Sequence, residues 1–175
     1  MILPSDLDKY RNSEYLPFYS HNDRFGDKAV FSNFYPAKFT IDGIEFNCSE
    51  QYMMYKKAEL FNDTFIANKI LSIDNPVVIK ACGRQVKKFD KDIWEENSLS
   101  IVTKGCYAKF SQNIRLKNIL LDTKDKLLIE ATKNDYIWGI GFNVTDFRVV
   151  SREEWGKNWL GICLMRVRDI LKAEK

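Results

Sequence analysis

The sequence predicts a mainly α-helical fold, a single-domain helical bundle with a small antiparallel β element near the N-terminus. Three observations carry that expectation. Good helix-capping residues recur from Ser49 onward, each followed by a stretch of helical spacing. An aromatic, strand-like pattern is confined to the segment from Tyr15 to Phe46, where Asp42-Gly43 is a hairpin turn signal. Finally, 175 residues with 45% hydrophobic content can bury one substantial core. The absence of an internal repeat, low-complexity tract or linker favours a single domain over residues 15–175.

Residues 1–14 are polar with weak periodicity and read as an N-terminal arm. Leu16-Pro17-Phe18-Tyr19, Ala29-Val30-Phe31 and the stretch from Phe34 to Ile41 are strand-like. Ser49 follows Ile44-Glu45-Phe46 as the expected N-cap of the first long helix, which runs through Lys57. Asn62 or Asp63 caps a helix through Leu71, and Asn75-Pro76 pairs an N-cap with proline at the first helical position of a helix ending near Gly83-Arg84. Asp90 caps a longer helix containing Trp94, Leu99 and Val102, weakened by Gly105. Asn113 starts another that ends near Leu121. Leu160, Cys163, Leu164, Val167 and Leu171 give the clearest helical stripe, which is core.

The chemistry concentrates in S-E-Q-Y-M-M-Y-K-K, Ser49 to Lys57. Glu50 falls in the first helical turn, where unsatisfied N–H groups and the helix dipole favour an ionised carboxylate. Lys57 lies seven residues later, back on nearly the same face and roughly 10 Å further along the axis, a gap that suits a ligand. A solvated amphipathic helix with unrelated surface charges is the bland alternative. Phe31-Ser32-Asn33-Phe34 offers the polar Asn33 and the ring of Phe34 to a pocket edge, though a plain turn explains it equally well. In N-D-Y-I-W-G-I-G, Asn134 to Gly141, Asp135 is a loop carboxylate, Trp138 a stacking face, and Gly139 and Gly141 permit close backbone approach. Core packing explains Trp138 as readily. Gly139-x-Gly141 lacks the third glycine of a dinucleotide fingerprint and does not open a helix, which rejects that reading. Arg84, with Lys80, Lys87 and Lys88 nearby, can meet a phosphate, while most of that run reads as solvated surface.

Composition excludes several classes. A balance of 27 basic and 24 acidic residues, net +3, is too even for a general nucleic-acid binder but tolerates a phosphorylated ligand. Cys48, Cys82, Cys106 and Cys163 are scattered, and His21 is the one histidine, so neither a metal site nor a cofactor is expected. No apolar run is long enough to span a bilayer, and the N-terminus has acidic residues where a signal peptide needs an apolar region. A cytoplasmic protein with reduced thiols and no membrane association is the expectation.

Read together, F-S-N-F, G-I-E-F-N-C-S-E-Q-Y-x-x-Y-K-K, A-C-G-R, A-K-F-S-Q-N, L-L-D-T, L-I-E-A-x-x-x-D-Y-I-W-G-I-G and G-K-N-W-L-G-I-C-L-M-R-V-R resemble, in order, the motifs of the NADAR family, also called YbiA-like. The resemblance runs from about Phe18 to Leu171. Two departures stand out: Met54 where many relatives have glutamine, and Trp159 where a basic residue or leucine is usual. The resemblance implies a mainly helical fold and N-glycosidase activity on N-ribosyl bonds. Implied substrates are phosphorylated ribosylamino-pyrimidines, early riboflavin-biosynthesis intermediates that release ribose 5-phosphate, or ADP-ribose attached to guanine in nucleic acid. By motif position it marks Glu50, Lys57, Asp135 and Trp138, the residues already singled out.

Those residue types suit glycosyl cleavage. Breaking the C1–N bond builds positive charge on the sugar, which Glu50 or Asp135 can stabilise, or either can orient water. Trp138 and Phe34 can stack on the base, and Lys57 can bind the phosphate or protonate the leaving group. Catalytic candidates are therefore Glu50, Asp135 and Lys57; substrate-binding candidates are Asn33, Phe34, Arg84, Trp138 and Gly139. The partner is a small phosphorylated ribosyl substrate, with no obligate protein partner. The rival from another class is a non-catalytic nucleotide or ADP-ribose binding module, which needs the lysine and the rings but not two carboxylates.

Overall fold

Most of the expected helices form where their caps sit. A computed structural model describes residues 13–143, 145–146 and 152–174; of the N-terminal arm expected over 1–14, residues 1–12 lie outside the described residues. The chain divides into two compact units, Asn33–Ile114 and, from the remainder, the residues up to Ser32 with those from Arg115 onward. The fold is mainly helical, as expected.

In the Asn33–Ile114 unit, strands β1 (Phe39–Ile41) and β2 (Ile44–Phe46) form the expected antiparallel hairpin, with Phe39 opposite Phe46 and Ile41 opposite Ile44. Asp42 (φ 52°) and Gly43 (φ 80°) both take the left-handed conformation that a two-residue hairpin turn requires, which is why Asp-Gly stands there. Helix α1 (Ser49–Leu60) packs against α2 (Thr64–Leu71), α3 (Pro76–Gly83) and α4 (Lys91–Gln112). Asp63, Asn75 and Asp90 cap α2, α3 and α4 through their side chains. Gly105 does not interrupt α4. A Cβ there would meet the Tyr52 ring at 2.5 Å, so the glycine lets α4 lie close on α1. Phe39, Ile41, Phe46, Tyr52 and Ala108 form the buried cluster that fixes the hairpin to these helices. Gln112 completes the attachment, bonding both the N–H and the carbonyl of Thr40 at 2.8 Å.

Two expectations in the aromatic segment fail. Ala29-Val30-Phe31 is buried within a 3-10 segment, Asp23–Phe31, not a strand, and only Phe39–Ile41 of the stretch from Phe34 is extended. Buried apolar side chains fill core positions in either conformation, and periodicity alone does not separate these cases in short runs. The segment Tyr15–Phe18 is a strand, but it pairs in parallel with Leu127–Glu130, Tyr15 beside Leu127 and Phe18 beside Glu130. Leu127, Leu128 and Ile129 are wholly buried there, the continuous apolar pattern of a parallel strand. Helices α5 (Ile114–Asp122) and α6 (Trp159–Ala173) follow the predicted pattern, and α6 packs its apolar stripe on that strand. Arg168, fully buried on α6, donates from Nη1 to Thr123 Oγ1 (2.7 Å) and to the Lys126 carbonyl (2.9 Å).

Candidate active site

Within the Asn33–Ile114 unit, the S-E-Q motif opens α1, but its capping differs from expectation. Cys48, not Ser49, is the N-cap and makes no side-chain cap bond, so Ser49 is the first helical residue. The start is held by Gln51 instead. Its Oε1 accepts from Asn47 N–H (2.8 Å), and its Nε2 donates to the carbonyls of Ile70 (3.1 Å) and Ile73 (3.0 Å), tying α1 to the end of α2. Gln51 is thus structural, and Glu50 next to it is only 4% exposed. A buried carboxylate is costly unless its surroundings compensate, and the position marks a site chosen for its charge.

The backbone N–H of Glu50 donates to the Asn33 carbonyl (2.9 Å), fastening F-S-N-F to the head of α1. Asn33 is 8% exposed; its Nδ2 reaches Met53 Sδ at 3.9 Å, while its Oδ1 is buried with no hydrogen-bond partner among the described residues. The buried hydroxyl of Ser49 is likewise without one. An unsatisfied buried acceptor costs about 1–3 kcal/mol, which a ligand donor would relieve. Ser49 was legible in the sequence only as a cap.

Lys57 is half-buried, and its ammonium stands 4.1 Å from the Phe89 ring centroid and 5.9 Å from that of Trp94. Burial pushes its pKa below the ordinary lysine value, the Arg84 guanidinium adds to that push, and Glu50 opposes it. Glu50, Lys57 and Arg84 therefore share one field. Arg84 is exposed at the C-cap of α3, one turn after Lys80, whose ammonium lies 5.6 Å from the Phe34 ring. The structure thus brings Asn33, Phe34, Glu50, Lys57 and Arg84 into one unit.

Lys109 was missed by sequence reasoning, which saw it only inside the A-K-F-S-Q-N motif. It is 1% exposed on α4, with its ammonium 5.6 Å from the Tyr35 ring and 5.3 Å from that of Phe110. Burial pushes its pKa down to about 8, against the neighbouring Cys106 and Cys48 thiols. Burial likewise pushes the Cys48 thiol up to about 11; Glu50 adds to that rise and Lys109 opposes it. Lys109 and Glu50 thus act on the Cys48 thiol in opposite directions.

Asp135, Trp138 and Gly139 belong to the other unit. Asp135 Oδ1 accepts from the N–H groups of Ile137 (3.2 Å) and Trp138 (2.9 Å), closing an Asx-type turn. The carbonyls of Ile137 and Trp138 then accept from Trp159 N–H (3.1 Å) and Leu160 N–H (3.0 Å), so this loop caps α6, whose N-cap Asn158 provides no side-chain cap bond. The Trp138 ring stands edge-on to Trp159 at 5.7 Å and 78°. A Cβ on Gly139 would lie 2.6 Å from the Glu130 carbonyl, so its tight approach is to the protein's own backbone. Trp159 backs Trp138, and Met54 packs under Gly83, where a Cβ would meet its sulfur.

All four cysteines are free and buried. Among the described residues no group of three or more His, Cys, Asp and Glu side chains is arranged to hold a metal ion, and no helix is long and apolar enough to cross a membrane.

Comparison with known proteins adds a family. Residues 17–172 match the NADAR domain model. The chain is 38% identical over 162 residues to N-glycosidase R617 of Acanthamoeba polyphaga mimivirus, covering 89% of this chain and 95% of that protein. It is 28% identical over 155 residues to the riboflavin biosynthesis protein VVA0006 of Vibrio vulnificus, covering 89% of this chain but 38% of that one. The solution NMR structure of the Escherichia coli protein YbiA superposes with a TM-score of 0.73 at 32% identity, covering 93% of this chain and 87% of that one.

Proposed function

The chain belongs to the NADAR family, and on that premise we propose that it hydrolyses the N-ribosyl bond of a phosphorylated ribosylamino-pyrimidine. It is a hydrolase acting on N-glycosidic bonds, in keeping with relatives that are named N-glycosidases. The relative named for riboflavin biosynthesis supports the pyrimidine substrate. We take residues 15–175 as one NADAR domain and place the protein in the cytoplasm, where its buried thiols stay reduced.

The observation that carries this reading is Glu50, a carboxylate 4% exposed in the first turn of α1. As the C1–N bond breaks, the ribose ring acquires positive charge, and a preorganised carboxylate in a desolvated setting stabilises that charge strongly. Asn33 Oδ1 and Ser49 Oγ, both buried without hydrogen-bond partners among the described residues, are acceptors for ribose hydroxyls. Lys57 and Arg84 take the phosphate, and by motif position alone Phe34 and Trp138 are the candidate rings for the base. Asp135, whose Oδ1 already receives two backbone N–H groups, keeps Trp138 in place and has a second oxygen to orient water. As the C1–N bond breaks, water adds its oxygen to C1 and gives up a proton, and the leaving nitrogen takes one proton from solvent, so that one water is consumed.

The test is to incubate the purified protein separately with a ribosylamino-pyrimidine phosphate and with ADP-ribosylated guanine in DNA, and to assay the free base. Release from the pyrimidine alone is expected. Release from guanine alone replaces the substrate, and binding of either without release turns the protein into a nucleotide-binding module.

A further inference from the structure

We propose that Phe89 is a positioning residue, which with Trp94 holds the Lys57 ammonium by ring faces so that its charge is kept for the phosphate of the ligand. The inference rests on the reading of Lys57 as a phosphate ligand given above.

A lysine can be oriented by a carboxylate or by an aromatic face, with opposite consequences. A carboxylate uses its hydrogen-bond donors and cancels its charge; a ring attracts the cation through its quadrupole and leaves both intact. Helix α1 displays both cases on adjacent residues. Lys56 is paired with Glu59 one turn on. The Lys57 ammonium makes no hydrogen bond or ion pair among the described residues, and it faces the two rings, at 4.1 Å and 5.9 Å. The nearby Arg84 guanidinium carries a charge of the same sign and repels the ammonium rather than pairing with it.

Phe89 is also more firmly placed than its 45% exposure suggests. Its ring stands edge-on to Phe61 at 5.3 Å and 65°. Lys87 N–H, two residues before it, donates to Asp63 Oδ2 (2.9 Å), while Asp63 Oδ1 caps α2 through Ile66 N–H (3.1 Å). Lys88 turns the chain with φ 54°, and Asp90 immediately starts α4. A large apolar side chain is thus kept at the surface by capping interactions on both sides, and one of its functions is contact with Lys57. Leucine at 89 would serve packing on Phe61 but offers no quadrupole to a cation.

The probe is ribose 5-phosphate, titrated calorimetrically into the parent, Phe89→Leu, Phe89→Tyr, Lys57→Met and the Lys57→Met/Phe89→Leu double variant, with a thermal melt of each. Phe89→Leu should weaken binding about 3- to 30-fold, the span of exposed to desolvated cation–π contacts. Phe89→Tyr should restore it, and Phe89→Leu should cost nothing further once Lys57 is Met. The proposal is overturned if Phe89→Leu binds like the parent, or if it weakens binding equally with and without Lys57, the pattern of a merely structural residue. A parent that hydrolyses its substrate but does not bind ribose 5-phosphate also overturns it while leaving the glycosidase reading standing. A parent that binds ribose 5-phosphate through this couple but cleaves no N-ribosyl bond supports the proposal and overturns the glycosidase reading alone.

Discussion

The two units position their candidate carboxylates by different physics. Glu50 stands on the first turn of a helix whose place is set by packing against three others, and it is buried. Asp135 stands on a loop whose place is set by hydrogen bonds, two of which its own Oδ1 accepts. Burial in a packed helix bundle raises the strength of a charge; engagement with backbone N–H groups spends part of it on structure. On the proposed reading, electrostatic work on the ribose falls chiefly to Glu50, while Asp135 Oδ1 holds the turn that carries Trp138.

The largest expected effect follows directly. Glu50→Gln keeps size and hydrogen-bonding capacity but removes the charge, so single-turnover cleavage should fall by roughly 10²- to 10⁴-fold, with ligand affinity changed far less. Burial means that its melting temperature must be measured alongside, since a buried substitution also touches stability. Asp135→Asn retains the Oδ1 acceptor and should lose less. Asp135→Ala forfeits the turn, and with it about 1 kcal/mol of stability and the alignment of Trp138. If Asp135→Asn abolishes cleavage as fully as Glu50→Gln does, with both melting normally, the contrast between the units is wrong.

Lys109 extends the contrast to a base. Its pKa is pushed from 10.5 to about 8 by burial, so between those values the unfolded chain holds a proton that the folded chain lacks. Stability must then rise with pH across this window, because the cost of burying the ammonium is relieved. Measured against Lys109→Met, which has nothing to titrate there, the parent should gain about 2 kcal/mol between pH 7 and 9.5, by denaturant melts. A difference that stays flat or falls would mean that Lys109 keeps its proton in the folded helix.

What the sequence disclosed divides along the same line. Asp63, Asn75 and Asp90 announced their helices because a cap is a local interaction between a side chain and the next turn. Asp42-Gly43 announced its hairpin through backbone conformation alone. The parallel pairing of Tyr15–Phe18 with Leu127–Glu130 was not legible, since nothing local in either segment names a partner more than a hundred residues away. The candidates Glu50, Lys57, Asp135 and Trp138 were chosen by residue type and motif. Their environments were not: the burial of Glu50, the rings around Lys57 and the hydrogen bonds to Asp135 arise from tertiary contacts. Lys109 looked like any helix-surface lysine, as burial cannot be read from one position of a 22-residue helix with so little amphipathic bias.

The smallest expected effect is none at all, and it bears on both units at once. A carboxylate that assists cleavage by its charge and one that binds a divalent ion look alike in sequence, and either Glu50 or Asp135 could be of the second kind. Among the described residues no three His, Cys, Asp or Glu side chains are grouped as a metal site, and Asp135 has one oxygen committed to backbone N–H groups. Cleavage after exhaustive treatment with a strong chelator should therefore proceed at the untreated rate. Activity that disappears on chelation and returns with one particular divalent ion would overturn this, and would mean that a carboxylate read as acting by its charge acts through a metal instead.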